Sequence, residues 1–264
     1  MLILLPPSET KAIPAAGDPV DLTALSWPEL TAARARVIKA LTKVSAQKNA
    51  LEVLGVGPSL AQDVARNRDL EQAPAGPALE VYTGVLFDAL NPAGFTAAQR
   101  RVAAESLVVI SAVWGAVRPS DRVPAYRLSG GTSLRGLGKA GGLKLSTYWK
   151  PHLAAALTPS AENTLVIDCR SATYTAAFQA PRANTVGVKV VQLVNGVRIV
   201  VSHNAKHTRG LLARHLIEQE AQGTRIETPA DLAEVAAQLW EVELRAPTAT
   251  KAGELTVVLP ETVV

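Results

Sequence analysis

The stretch VGVKVVQLVNGVRIVVS (residues 186–202) decides the fold class. β-Branched residues fill both halves, and Asn195-Gly196 divides them, the dipeptide best suited to the positive φ angles of a two-residue hairpin turn. Two antiparallel strands, Val186–Leu193 and Val197–Ser202, are expected. The chain then changes period: HNAKHTRGLLAR (203–214) opens a helix expected to run to about Ala221. Strand and helix therefore interleave rather than segregate.

The same interleaving holds on either side. Toward the C-terminus, Leu239–Leu244 and Glu254–Leu259 read as a last strand pair. Toward the N-terminus, Thr164–Ile167 reads as a strand after a helix over Ser146–Leu157, and Leu107–Val113 as a buried strand after a helix over Thr96–Ala104. Leu2–Leu5 is a short apolar strand stopped by Pro6-Pro7, which cannot continue a sheet ladder. A helix from Ser26 to about Val44 has Ser26 as its cap, Pro28 in its first turn and Glu29 completing a capping box. No fixed-period repeat is present. The expectation is an α+β (mixed α/β) fold: residues 1–264 as a single domain, a mixed central sheet flanked by helices.

Apolar residues make up 48% of the 264, enough for a sizeable core, and the net charge is +4. That mild excess of base is compatible with an anionic partner without requiring one. Cys169 is the only cysteine, so no intrachain disulfide forms and a reducing compartment is expected. The five apolar residues of the start lack the basic leader of a signal peptide, and no run approaches the length of a membrane helix. A cytoplasmic location and no membrane partner are expected.

Three regions carry chemistry. His203, Lys206, His207, Arg209 and Arg214 crowd the start of the helix after the hairpin, where cations oppose the helix dipole and suit an anion instead. Lys206 and Arg209 share a face, and Gly210 leaves backbone room beside it. Arg118, Asp121 and Arg127 follow a buried strand, at the strand end where open α/β sheets place ligands. There the arginines suit a phosphate or carboxylate. Asp121 is either a base, an orienter of the arginines or part of a structural pair. The turn PSETK (7–11) and Asp168-Cys169-Arg170-Ser171 also leave strand ends, with Cys169 reading more simply as a small buried residue. The segment GLGKAGG (136–142) follows no strand, so it is no nucleotide-binding fingerprint. His203 and His207 are four apart without an intervening Glu, and no zinc spacing occurs; no metal site and no cofactor are expected. LGVGPSLA (54–61) has the glycines of a helix-hairpin-helix turn, whose amides meet a DNA phosphate without reading bases.

Taken in order, MLILLPPSETK (1–11), VYTG (81–84), SAVWGAVRPSD (111–121), PAYRL (124–128), Tyr148-Trp149, VIDCRS (166–171) with Tyr174, NAKHTRG (204–210) and GEL (253–255) resemble the YaaA family of peroxide-stress proteins. The resemblance spans nearly the whole chain. It implies a mixed α/β fold with a basic cleft and a cytoplasmic role in limiting iron-driven oxidative damage. It also implies sequence-nonspecific DNA binding through a helix-hairpin-helix element, here about residues 48–68 with Gly55, Gly57 and Pro58. Carried over residue by residue, the cleft candidates are Lys11, Tyr82, Arg118, Asp121, Arg127, Tyr174, Lys206 and Arg209. Two functions are expected, the first as the leading reading and the second as its alternative. One is a DNA-associated protective protein held by phosphate contacts, salt-sensitive and sequence-tolerant. The other is an enzyme for a small anionic, nucleotide-like substrate, in which Asp121, or Lys11 with a lowered pKa, moves protons. A narrow pocket favours the second and an open groove the first.

Overall fold

The structure is a computed structural model that describes residues 1–138, 142–195, 197–200 and 202–262; the side chains at 200, 202, 203 and 262 lie outside that description. Gly196 of the hairpin turn, residues 139–141 of the glycine-rich segment and the His203 side chain therefore fall outside it.

Eight strands form the main sheet: β1 Leu2–Leu5, β2 Leu107–Ser111, β3 Gly115–Val117, β4 Val166–Asp168, β5 Thr185–Val194, β6 Val197–Val200, β7 Glu241–Arg245 and β8 Gly253–Thr262. The spatial order is β7-β8-β5-β4-β1-β2-β3, with β6 also paired to β5. The centre is parallel: β1 lies between β2 and β4, β4 pairs with β5, and β5 with β8. Antiparallel pairs occur at β2–β3, β5–β6 and β7–β8. The fold is thus α/β with a mixed, mostly parallel sheet. Every residue of β1 and β2 is buried, as expected of parallel strands covered on both faces. Edge strand β7 instead alternates exposed Glu241, Glu243 and Arg245 with half-buried Val242 and Leu244.

The longer helices are α1 Thr31–Ser45, α2 Val85–Leu90, α3 Ala97–Ser106, α4 Leu145–Ala161, α5 Ser202–Ala221 and α6 Pro229–Ala237. Helix α3 starts at a complete Thr96–Gln99 capping box. The box expected at Ser26 does not form. A 3-10 turn, Pro28–Leu30, precedes α1, Trp27 takes a left-handed φ of 58°, and the Ser26 hydroxyl donates to Asp121 instead. Helix α6 carries its own start signal, Thr228 and Asp231 in a reciprocal box with Pro229 between them.

Helix α5 lies close on α2. A Cβ at Gly210 would stand 2.1 Å from the Leu86 carbonyl oxygen, so only glycine permits this approach. The room expected there for a ligand is filled by the neighbouring helix. Among the described residues no helix is long and apolar enough to cross a membrane.

Candidate functional site

Strands β1 and β4 are parallel and in register, Leu4 opposite Asp168, so the segments after them emerge side by side at the carboxyl edge of the sheet. The Cys169 amide donates to the Leu4 carbonyl at 2.9 Å and holds the two exits together. Pro6-Pro7 ends the ladder, and residues 8–11 fold back across the sheet end. The Ser8 hydroxyl donates to the Thr10 carbonyl at 2.5 Å and accepts the Thr83 amide at 3.1 Å. Lys11 pairs with Tyr82 in a β-bridge. The turn is therefore fixed at both ends.

Lys11 is strongly perturbed there. Its Nζ donates to the Ser8 carbonyl at 2.7 Å, sits 4.0 Å from the Tyr126 ring centre and 5.5 Å from that of Tyr82. Burial lowers its pKa from 10.5 to about 7; Glu9 pulls it up, Arg127 pushes it down and Asp63 pulls it up weakly. Neither acid pairs with the amine. Glu9 is held by Arg127 at 2.7 Å, and Asp63 by Arg66 on the same short helix. Below the amine, the Tyr126 hydroxyl lies 2.8 Å from Ser111 Oγ and 3.4 Å from the Tyr82 hydroxyl. Burial raises the pKa of both phenols, so they remain protonated donors at neutral pH. A cavity of about 100 Å³ opens on this group, walled by Glu9, Thr10, Lys11, Asp63, Arg66 and Arg127.

The other side of the turn faces a second cavity of about 270 Å³, lined by Ser8, Thr83, Gly84, Cys169, Ser171, Tyr174, Lys206 and Arg209 among others. Lys206 is exposed on its wall. The Arg209 guanidinium donates Nε and Nη2 to the Val188 carbonyl at 3.1 and 2.7 Å. Val188 lies on β5 between the stretch paired with β4 and the stretch paired with β6, so Arg209 closes a gap in the ladder. The Tyr174 hydroxyl accepts the Gly130 amide at 3.1 Å. Burial pushes the Cys169 thiol up to about 12, which keeps it protonated and a poor nucleophile at neutral pH.

Lys11, Tyr82, Arg127, Tyr174, Lys206 and Arg209 thus gather around residues 8–11; Arg118 and Asp121 have other work. One Asp121 oxygen accepts the Ser26 amide and hydroxyl at 3.0 and 2.9 Å, and the other accepts the Arg118 amide at 2.8 Å. The Arg118 guanidinium caps the end of α3, donating to the Ala104 and Glu105 carbonyls at 3.1 and 2.8 Å, and lies over the Trp27 ring. Of the readings left open for Asp121, the geometry matches the structural one.

Sequence reasoning missed Tyr126, Ser8 and Ser111, although all three sit inside the quoted motifs. It also missed buried Arg34, which donates to the Trp114, Trp27, Ser26 and Ala116 carbonyls. Arg170 is similarly committed, bidentate on Asp168. Among the described residues no three His, Cys, Asp or Glu side chains converge as metal ligands.

The segment around 48–68 folds as two short helices, Ala50–Leu54 and Ala61–Arg66, joined through Gly55 and a 3-10 turn over Pro58–Leu60. Gly55 is left-handed at φ 65° and caps the first helix. Gly55, Gly57 and Pro58 are exposed, and nothing lies within 4 Å of a Cβ at either glycine. The second helix supplies Asp63 and Arg66 to the Lys11 cavity, so hairpin and cavity adjoin.

Comparison with known proteins shows the family of the chain. Residues 1–245 match the family described as peroxide stress protein YaaA. A UPF0246 protein of Streptomyces coelicolor is 45% identical over 253 residues, covering 94% of each chain. One from Corynebacterium efficiens is 42% identical over 92% of this chain and 95% of its own. Another from Cereibacter sphaeroides is 31% identical over 88% and 90%. The chain belongs to the peroxide stress protein YaaA family.

Proposed function

We propose that this member of the peroxide stress protein YaaA family is an enzyme that takes a small anionic, nucleotide-like molecule into the cleft at the carboxyl edge of the sheet. The observation that carries the reading is the size of the space around the candidate cations. Lys11 and Arg127 face about 100 Å³, room for a few atoms; Lys206 and Arg209 face about 270 Å³, just under the usual small-molecule range, and Arg209 also lines a neighbouring cavity of about 460 Å³, all far too little for a duplex. In this arrangement exposed Lys206 attracts the anion and Arg209 holds the wall rigid, while Lys11, facing the smaller cavity across the turn, moves a proton. A group with a pKa of about 7 serves as acid and base at neutral pH.

Calorimetric titration with pyrophosphate and with AMP tests this reading. Wild type is expected to bind at least one of them, and Lys206→Glu to lose about tenfold in affinity with its melting temperature unchanged. No binding to wild type, or equal binding to the variant, refutes it.

A second reading has its own support in the exposed, unobstructed Gly55–Pro58 turn. Here the turn meets a DNA backbone, and the protein protects that DNA against iron-driven oxidation during peroxide stress. Binding is then sequence-tolerant and falls steeply with salt. Fluorescence anisotropy with a labelled duplex at 50 mM salt is the check. Gly57→Asp is expected to weaken binding, and absence of binding by wild type rejects this reading alone.

A further inference from the structure

We infer that Lys11 forms a covalent imine with a small aldehyde or α-oxo acid that enters the cavity walled by Glu9, Thr10, Asp63 and Arg127. The inference goes beyond the anion reading above and concerns the smaller cavity on the other side of the turn. The argument begins with pairing. Two carboxylates stand near the amine, yet each is already matched by an arginine, Glu9 by Arg127 and Asp63 by Arg66. Among the described residues no acid stands within ion-pairing distance of Lys11. Its neighbours are instead two aromatic rings and one carbonyl, that of Ser8. A buried ammonium without a counterion is costly, and the group relieves that cost by giving up its proton. A neutral amine can donate one N–H to Ser8 and still keep its lone pair. Desolvated lysines of this kind are the ones that attack carbonyl carbons.

The space suits the partner. About 100 Å³ takes only a few non-hydrogen atoms, and Lys11 is partly exposed to it rather than sealed in. The wall is nearly charge-balanced, with Arg66 and Arg127 against Glu9 and Asp63, so a short carbonyl compound carrying no more than one negative charge fits.

The step balances without a redox partner. The Nζ lone pair attacks the carbonyl carbon, a C–N bond forms, and the carbonyl π pair moves to oxygen, which takes up a proton. The nitrogen gives up a proton to solvent. The carbinolamine hydroxyl then takes up a proton and leaves as water as the nitrogen lone pair forms the C=N bond, and the nitrogen's remaining proton passes to solvent. The sum is amine plus carbonyl compound giving imine plus water.

Reductive trapping tests it on the unmodified chain. The protein is incubated at pH 7 with glyoxylate or glycolaldehyde and sodium cyanoborohydride, and adducts are located by peptide mass spectrometry. Lys11 is expected to be modified about tenfold faster or more than exposed Lys48 and Lys150, and Lys11→Arg is expected to carry no adduct at that position. Equal labelling of all three lysines, or labelling that spares Lys11, overturns the imine. Pyrophosphate or AMP binding that persists with Lys11 unlabelled rejects the imine alone. Labelled Lys11 in a protein that binds neither anion rejects the anion cleft alone.

Discussion

Replacing Lys11 by methionine should change the pH dependence of folding in a way that no surface lysine can. Methionine keeps most of the side-chain length and removes the charge. In the unfolded chain Lys11 titrates near its ordinary 10.5; in the folded protein it titrates at about 7. Between those values the unfolded state binds the extra proton, so wild-type stability rises with pH across that window and levels off beyond it. Below pH 7 both states are protonated, and the wild type carries the full burden of a buried ammonium. Each pKa unit is worth about 1.4 kcal/mol. Allowing for the half-titrated group at pH 7, the wild type should gain about 2 kcal/mol relative to Lys11→Met between pH 7 and pH 9. Urea unfolding of both proteins at pH 6, 7, 8 and 9 gives the difference directly, and other titrating groups cancel in it. A difference that stays flat with pH, or that falls as pH rises, refutes the burial argument.

Three further substitutions separate structure from site. Asp121→Ala removes the acceptor of the Ser26 and Arg118 hydrogen bonds and should cost about 3 kcal/mol in urea unfolding, without changing anion binding to the folded protein. Gly210→Ala forces a methyl group against the Leu86 carbonyl and should cost about 1–3 kcal/mol, read as a lower melting temperature. Cys169→Ser should leave anion binding unchanged, because the thiol is protonated at neutral pH; loss of binding with the fold intact would show that it takes part.

The parts of the fold legible in the sequence were those with local causes. Asn195-Gly196 announced the β5–β6 hairpin, and the apolar runs of β1 and β2 announced buried strands, which the structure makes parallel. The end of β1 was marked by Pro6-Pro7. The Ser26 box failed because a distant carboxylate outcompeted a local one: Asp121, 95 residues away, takes the Ser26 amide that Glu29 would have accepted, and the Ser26 hydroxyl with it. Helix α6 was missed although Thr228, Pro229 and Asp231 spell its start.

The site divided along the same line. Lys11 lies in a motif that leaves the sheet after β1, and the structure joins it to Tyr82 in an isolated β-bridge. Arg118 and Asp121 lie in an equally rich motif, but backbone groups of other segments claim them: carbonyls at the end of α3 for Arg118, and the Ser26 amide for Asp121. Nothing local distinguishes an arginine that caps a helix from one that waits for a ligand. Likewise Arg209 looks like an anion ligand in sequence, while the gap in the β5 ladder that it closes exists only once β4 and β6 have paired. Whether a lysine is neutral is equally non-local, since it depends on which acids its neighbours have already taken.

The most direct test is therefore the protonation of Lys11 itself. Carbon-detected NMR of protein labelled at lysine Cε, with the Lys11 signal identified by its loss in Lys11→Arg, follows that group through a pH titration. The account predicts a midpoint near 7. A Lys11 midpoint above 10 would contradict it.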